Sequence, residues 1–318
     1  MNQIMPGEDL QAAIDAAAQA SAVRPVYPGR VVHIDGDYLA YFCAGGGDML
    51  AGTARQVTRD RIHKLTEVCG AVGAVVHLTD DSSDKGKRYA VATVKPYQGN
   101  RSGKGKPNNW AAVREFLMLG GGFDVALHYD READDGMGLA SQRAVADGDH
   151  TLCAHATRDK DMRMLPGLHI DWQSFAITEV APDQYEVIGD NGLVYGKKWF
   201  WLQMLQGDTT DNIPGLEWYR SGTVQKKVGD VTATKLLAGC SDNVAAGDVV
   251  LSLYRETYGD SWADRFVEQA ALLWLRRDTF ASLGDFRRIL PTFFGEDLDT
   301  AAAYASLQER VYHATAKA

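Results

Sequence analysis

The chain has 318 residues, of which 45% are hydrophobic and 24% charged, and a net charge of −9 at neutral pH. That length can bury a full core and fits one large domain with an appendage, or two domains, while the composition excludes a disordered chain. The acidic balance taken alone argues against nucleic acid as a partner, and the longest wholly apolar run, Ala270 to Leu275, is far short of the ~20 residues that span a bilayer. The amino terminus has no basic stretch and carries Glu8, Asp9 and Asp15, so no signal peptide is expected and the protein is expected in the cytoplasm. Cys43, Cys69, Cys153 and Cys240 are scattered without a CxxC pair and read as buried or free thiols.

In chain order, residues 8 to 22 predict a short helix, set apart by Pro25, Pro28 and Gly29. Apolar runs of strand length come next at Val31 to Ile34, Ala74 to Leu78, Phe123 to Tyr129 and Thr151 to Ala156. Segments of helical character separate them: Arg55 to Val68, Trp110 to Leu119 and Ala133 to Val145. The alternation predicts βαβ units and an α/β fold with a mostly parallel sheet. From about residue 197 the strands are expected to stop. Segments 197 to 206, 231 to 238, 243 to 257 and 261 to 283 have helical spacing, and the aromatic-rich KKWFWLQMLQ reads as a packing helix. Between Lys85 and Lys106 there are seven basic residues and no acidic one, which alone would read as a solvated loop.

The residues just beyond each strand are more telling. The four runs lead into Asp35 (VVHIDGD), Asp80 (HLTDD), Glu132 with Asp134 and Asp135 (READD), and Asp159 with Asp161 (RDKDM). In a parallel sheet those ends share one edge, where open α/β folds bind ligands. Each carboxylate has an ordinary explanation as a turn or helix-start residue. Jointly that explanation fails, because two like charges ~4 Å apart repel by ~4 kcal/mol at an effective dielectric of ~20. Seven together need cations or protons, and oxygen ligands without a His or Cys pattern favour magnesium or manganese. Asp208 and Asp211, in QGDTTDNIPGL, are a turn or half of a metal site; Ile213 stands where an EF-hand would need Gly. An SxxK at Ser82, an SDN at Ser241 and a P-loop-like Gly99 to Lys104 all lack their companion residues.

VVHIDGDYLAY, HLTDD, YQGNR, READDGMGLA, RDKDM and QGDTTDNIPG together, in this order, resemble the 5′-nuclease family, which includes flap endonucleases, the 5′-nuclease domain of bacterial DNA polymerase I and the exonucleases of short-tailed phages. The resemblance spans residues 31 to about 240 and is nearest the phage enzymes. It implies a PIN-like sheet sandwiched by helices over residues 29–198, with an arch over about 82–110. Residues 1–28 would be a helical extension, and 199–318 a helical DNA-binding region containing a helix-three-turn-helix.

The resemblance also implies roles. One metal would be held by Asp35, Asp80, Glu132, Asp134 and Asp135, and the second held or steered by Asp159, Asp161, Asp208 and Asp211. Two magnesium or manganese ions would then drive in-line phosphodiester hydrolysis, giving a 5′-phosphate and a 3′-hydroxyl without a side-chain nucleophile. On this basis Asp135→Asn is expected to abolish cleavage and spare duplex binding. In the arch, Tyr97 would stack on a base and Arg101 contact the scissile phosphate, with Arg88 in support. Gly103 and Gly105 suggest mobility there. The family commonly has Lys where this chain has Gln98, so Lys95 or Lys104 would have to supply that cation. Downstream, VGDVTATKLLAG resembles the second helix of the DNA-gripping element. Gly229, Thr232 as helix cap, and Lys235 with Lys226 and Lys227 would meet phosphates, and relatives bind potassium there through backbone carbonyls. EWYRSGTVQKK expands the preceding hairpin.

The expected activity is metal-dependent 5′ to 3′ exonucleolysis of duplex DNA, extending to flaps and to RNA primers in RNA/DNA hybrids, in a phage replication setting. A PIN-like ribonuclease and a non-catalytic DNA-binding protein are the rivals. The first is opposed by the DNA-gripping element, the second by the presence of all nine carboxylates.

Overall fold

The structure, a computed structural model, describes residues 25–101, 105–290 and 298–316. The predicted helix at 8 to 22 and residues Gly103 and Lys104 lie outside these.

The apolar runs become strands β1 (Val31–Asp35), β2 (Gly73–Thr79), β3 (Asp124–His128) and β4 (Cys153–Ala156). Two more, β5 (Gly167–Ile170) and β6 (Ile177–Val180), complete a six-stranded sheet in the order β3-β2-β1-β4-β5-β6. All neighbours are parallel except β6, which runs antiparallel to β5 at the edge. The chain winds outward from β1 in both directions, so the topological switch lies between β1 and β4, where a crevice opens beyond the strand ends. Val32, Ile34, Val76, Leu78, Ala154 and Ala156 are buried, as central strands covered on both faces require.

The crossover helices are α1 (Gly36–Cys43), α2 (Ala51–Val68), a single turn α3 (Arg88–Val91), α4 (Trp110–Leu119) and α5 (Ala133–Ala146). On α2, Ala54, Thr58, Ile62 and Leu65 are buried at a three-to-four-residue spacing, one stripe against the sheet. Gly136 of α5 passes so close to the His128 ring that any β-carbon would overlap it. That imidazole ends a row of histidines crossing the sheet interior. His77 contacts His128 at 3.0 Å and His33 at 2.9 Å, and the His155 and His169 rings continue the row. Burial keeps them neutral, with His33 near 3 and His155 near 4.

Beyond a small ladder of β7 (Val187–Ile188) with β8 (Val194–Tyr195), helix α6 (Lys197–Gln206) is buried almost all round, Trp199 to Leu205 forming the centre of a second core. Around it pack α7 (Asp230–Leu236), α8 (Asn243–Tyr258) and α9 (Trp262–Leu273), while α10 (Leu298–Thr315) packs on α9 and α3. No helix among the described residues is long and apolar enough to cross a membrane.

Two expectations for this region are corrected. The last third is not all helical: β9 (Trp218–Ser221) and β10 (Val224–Lys227) form an antiparallel hairpin turning at Gly222, whose φ is +65°. EWYRSGTVQKK carries aromatic and β-branched residues around a Ser-Gly-Thr turn, so it satisfies its backbone as a two-stranded ribbon. The helix expected over 261 to 283 ends at Leu273, because Trp274 turns extended and sends a buried segment back under α5.

Candidate metal centre at the sheet edge

A cleft of about 530 Å³ opens beyond the carboxyl ends of β1 and β4. Seven carboxylates line it: Asp35, Asp37, Glu132, Asp134, Asp159, Asp208 and Asp211. Local structure explains five of these positions. Asp35 ends β1 and caps α1, accepting the Tyr38 N–H at 2.9 Å and the Thr157 hydroxyl at 2.8 Å. Glu132 caps α5 in a reciprocal box with Asp135. Asp159 caps a 3₁₀ turn by accepting the Asp161 N–H at 2.9 Å. Asp208 and Asp211 lie on a loop closed by two backbone bonds between Asp208 and Ile213, at 2.8 and 2.7 Å. Gly207 and Gly215 pack so tightly at its neck that a β-carbon on either would overlap backbone.

Asp208 and Asp211 also form a candidate cation site with Asp161, which does not itself line the cleft. Carboxylate oxygens of Asp161, Asp208 and Asp211, all buried, lie within 4.8 Å of one another. No histidine or cysteine lines the cleft, so its donor set is the oxygen set that hard divalent cations take. The electrostatics agree. Burial, then Asp159 and Asp208, push Asp161 well above the usual carboxylate range. Burial, then Asp135 and Glu132, do the same to Asp134. Burial and Asp211 raise Asp159 to about 7, and burial and Asp37 raise Asp35 to about 6. Burial and crowding thus favour the protonated form of Asp35, Asp134, Asp159 and Asp161, and a cation would favour the charged form.

Protein cations supply part of the balance. Lys160 contacts Asp208 at 2.7 Å, Arg114 contacts Asp37 at 2.7 Å, and Arg101 bonds to Asp211. Tyr97 donates its hydroxyl to Glu132 at 2.6 Å and lies 3.1 Å from Asp211. Gln98 reaches Glu132 and Asp211 at 3.2 Å each.

Besides Asp161, two expected metal ligands do not line the cleft. Asp135 is fully buried beneath it, and each of its oxygens already has two donors. Oδ1 accepts Arg88 Nη2 at 2.8 Å and the Arg276 N–H at 2.7 Å; Oδ2 accepts Arg88 Nη1 at 2.7 Å and the Glu132 N–H at 3.1 Å. An ionised carboxylate has about four lone-pair sites, so none is left for a cation. Arg88 and the Arg276 N–H hold this acid down at about 2. Asp80 sits at the surface with its carboxylate accepting from Ser82 N–H at 2.9 Å and Ser82 Oγ at 2.6 Å. Its place in the cleft is taken by Asp37, the second aspartate of VVHIDGD.

The expected DNA contacts are corrected in part. Arg88, Tyr97 and Gln98 are buried, the arginine on Asp135 and the other two on carboxylates, so none offers a free group to DNA. Arg101 lines the cleft with its side chain 44% exposed. Lys95 pairs with Glu217 at 3.1 Å. Gly229 is the residue before α7, but Thr232 lies inside the first turn and does not cap it; Lys235 is exposed. Asp37, Arg158, Lys160 and Arg163 also line the cleft, and the sequence reading assigned them no role. Asp37 lies within VVHIDGD, and Arg158 and Lys160 flank Asp159 within RDKDM, which was the available signal.

No family model matches the chain, and no curated protein does. Solved structures do. The 5′-exonuclease of phage T5 with bound zinc is 14% identical, with a TM-score of 0.55 over 89% of this chain and 99% of that one. A phage T5 protein co-crystallised with metal ions gives 14%, 0.54, 88% and 99% for the same measures. The flap endonuclease of bacteriophage T5, in a pseudo-enzyme-product complex with DNA and metal ions, gives 13%, 0.54, 89% and 99%. A mostly parallel sheet flanked by helices, an acidic crevice at its switch point and a carboxyl-terminal helical region thus make up a 5′-nuclease fold.

Proposed function

We propose that the protein is a metal-dependent 5′ to 3′ exonuclease on duplex DNA that also cuts flaps and removes RNA primers from hybrids. The observation that carries this reading is the cleft at the sheet's switch point, where seven carboxylates converge. Asp161, Asp208 and Asp211 would hold one divalent ion, and Asp35, Glu132 and Asp134 would bind or steer a second, as magnesium or manganese. When bound, such a pair supplies Lewis-acid stabilisation to the attacking and leaving oxygens of an in-line displacement. Arg101, held over Asp211 at the cleft, is placed to meet a phosphate oxygen. Gly229 and the first turn of α7, with Lys226, Lys227 and Lys235, would grip the duplex backbone without reading sequence, and potassium at that element would strengthen the grip. The similar phage T5 flap endonuclease, solved with DNA and metal ions, supports a DNA substrate.

The test is hydrolysis of 5′-labelled and 3′-labelled duplexes in magnesium or in EDTA. Early release of the 5′ label, only with magnesium, is expected. Release of the 3′ label first, or full activity in EDTA, would sink the reading. Single-stranded RNA as the better substrate would favour the PIN-like ribonuclease, which would share the sheet and part of the carboxylate set.

A further inference from the structure

Tyr97 and Gln98 join the two sides of the acidic cleft. Gln98 Nε2 lies 3.2 Å from Glu132 Oε1, on the α5 side, and 3.2 Å from Asp211 Oδ1, on the α6 side. Its Oε1 accepts from Lys85 Nζ at 2.8 Å. The chemistry of the partners fixes which way this amide faces. An ammonium only donates, so the amide oxygen must face Lys85, which leaves both amide hydrogens for the carboxylates. Turned over, the amide would set its oxygen against two acidic oxygens and its nitrogen against a cation.

The backbone supports the same contact from both ends. Lys85 has φ of +51° and Gln98 of +55°, the left-handed region that a side chain bearing a β-carbon seldom occupies. Gln98 is held there by its N–H on the Asp211 carbonyl at 2.9 Å, and Lys85 by its N–H on Ser83 Oγ at 3.2 Å and its carbonyl under Arg88 Nη1 at 3.2 Å. Lys85 does not line the cleft, stands 3.5 Å from Glu132, and has its side chain 24% exposed.

We infer that Lys85 is a positioning residue that acts through Gln98: its ammonium locks the amide, and the locked amide sets the spacing of Glu132 and Asp211 across the metal centre. This rests on the proposed nuclease activity for its catalytic consequence, but not for its effect on metal binding. A positively charged side chain at position 98 would repel Lys85, so the glutamine and the lysine work as a pair.

The experiment is a double-mutant cycle of Lys85→Met and Gln98→Ala, read as duplex cleavage in magnesium and as manganese binding by calorimetry. Lys85→Met is expected to lower kcat about tenfold, with KM for DNA changed less than about twofold, and to weaken manganese binding by about fivefold, within the range of coupled neighbours. In the Gln98→Ala background the same substitution should change each quantity by less than about twofold. Lys85→Arg, which still donates to the amide, should restore most of both. Equal effects in the two backgrounds would overturn the inference, leaving Lys85 as a simple counter-charge to Glu132; so would no effect of Lys85→Met. If the wild-type protein does not cleave DNA, the nuclease reading fails, and the manganese cycle alone upholds or overturns the pairing.

Discussion

Asp134 and Asp135 are adjacent on the first turn of α5, yet they belong to regions governed by opposite electrostatics. Asp134 faces the cleft, where burial and neighbouring acids raise it well above the ordinary carboxylate range. Asp135 lies in the layer beneath, where the Arg88 fork and the Arg276 N–H hold it at about 2. The cleft stores repulsion that a divalent ion would relieve, whereas the layer below is neutralised by the protein itself. The lower layer thereby forms a charge-neutralised floor beneath the acidic cleft.

The largest expected effect tests the upper layer. Asp134→Ala or Asp161→Ala should lower cleavage by about 10³-fold, the scale of losing a preorganised electrostatic group, while the melting temperature in EDTA stays level or rises. A fall in melting temperature with activity preserved would place these acids in the floor instead.

Asp135→Asn should act mainly on the fold. It strands the buried Arg88 guanidinium, and breaking a buried pair from one side costs ~3–5 kcal/mol. Thermal or urea unfolding reads this directly. Unchanged stability with lost cleavage would return Asp135 to the metal centre, as the motif alone suggests.

Proton competition gives a third, smaller effect. Asp35 and Asp159 have folded values of about 6 and about 7, above the ordinary 3.8. Between about pH 4 and pH 7 the metal-free fold keeps protons that the unfolded chain releases, so these groups favour folding at the acid end and lose that contribution as pH rises. A divalent ion needs them deprotonated. The rise in melting temperature on adding magnesium should therefore be slight at pH 5 and grow through pH 6 to 8. Taking the difference with and without metal cancels the buried histidines, which oppose folding below their unfolded value of about 6.5. A magnesium shift equal at pH 5 and 8 would show that the cleft does not hold protons.

The smallest effect lies away from both layers. Lys235→Ala should weaken duplex binding alike for all sequences and reduce the slope of log affinity against log salt by about one. An unchanged slope would remove α7 from the DNA footprint.

Much of this organisation was legible in the chain. Apolar runs ending in acids placed β1 to β4 and their shared edge, and the turn carrying Asp208 and Asp211 brings their carboxylates close to that of Asp161. Strands β5 to β8 were missed because runs of two to four residues carry too little periodicity to separate from loop. The hairpin at 218–227 was legible only through the resemblance, since residue spacing alone read this third of the chain as helical.

Local sequence by itself determined which residue types gather at the edge: strand propensity, capping by Asp35, Glu132 and Asp159, and glycines where backbones nearly touch. It could not assign the acids their states. Arg276 reaches Asp135 across 141 residues, and Lys85 reaches Gln98 across a strained loop. Whether a carboxylate faces a cation, a backbone N–H or another acid depends on distances of a few ångströms between segments far apart in the chain. Only tertiary packing sets those distances, and at low dielectric they decide which acids stay charged within the floor and which wait for a metal.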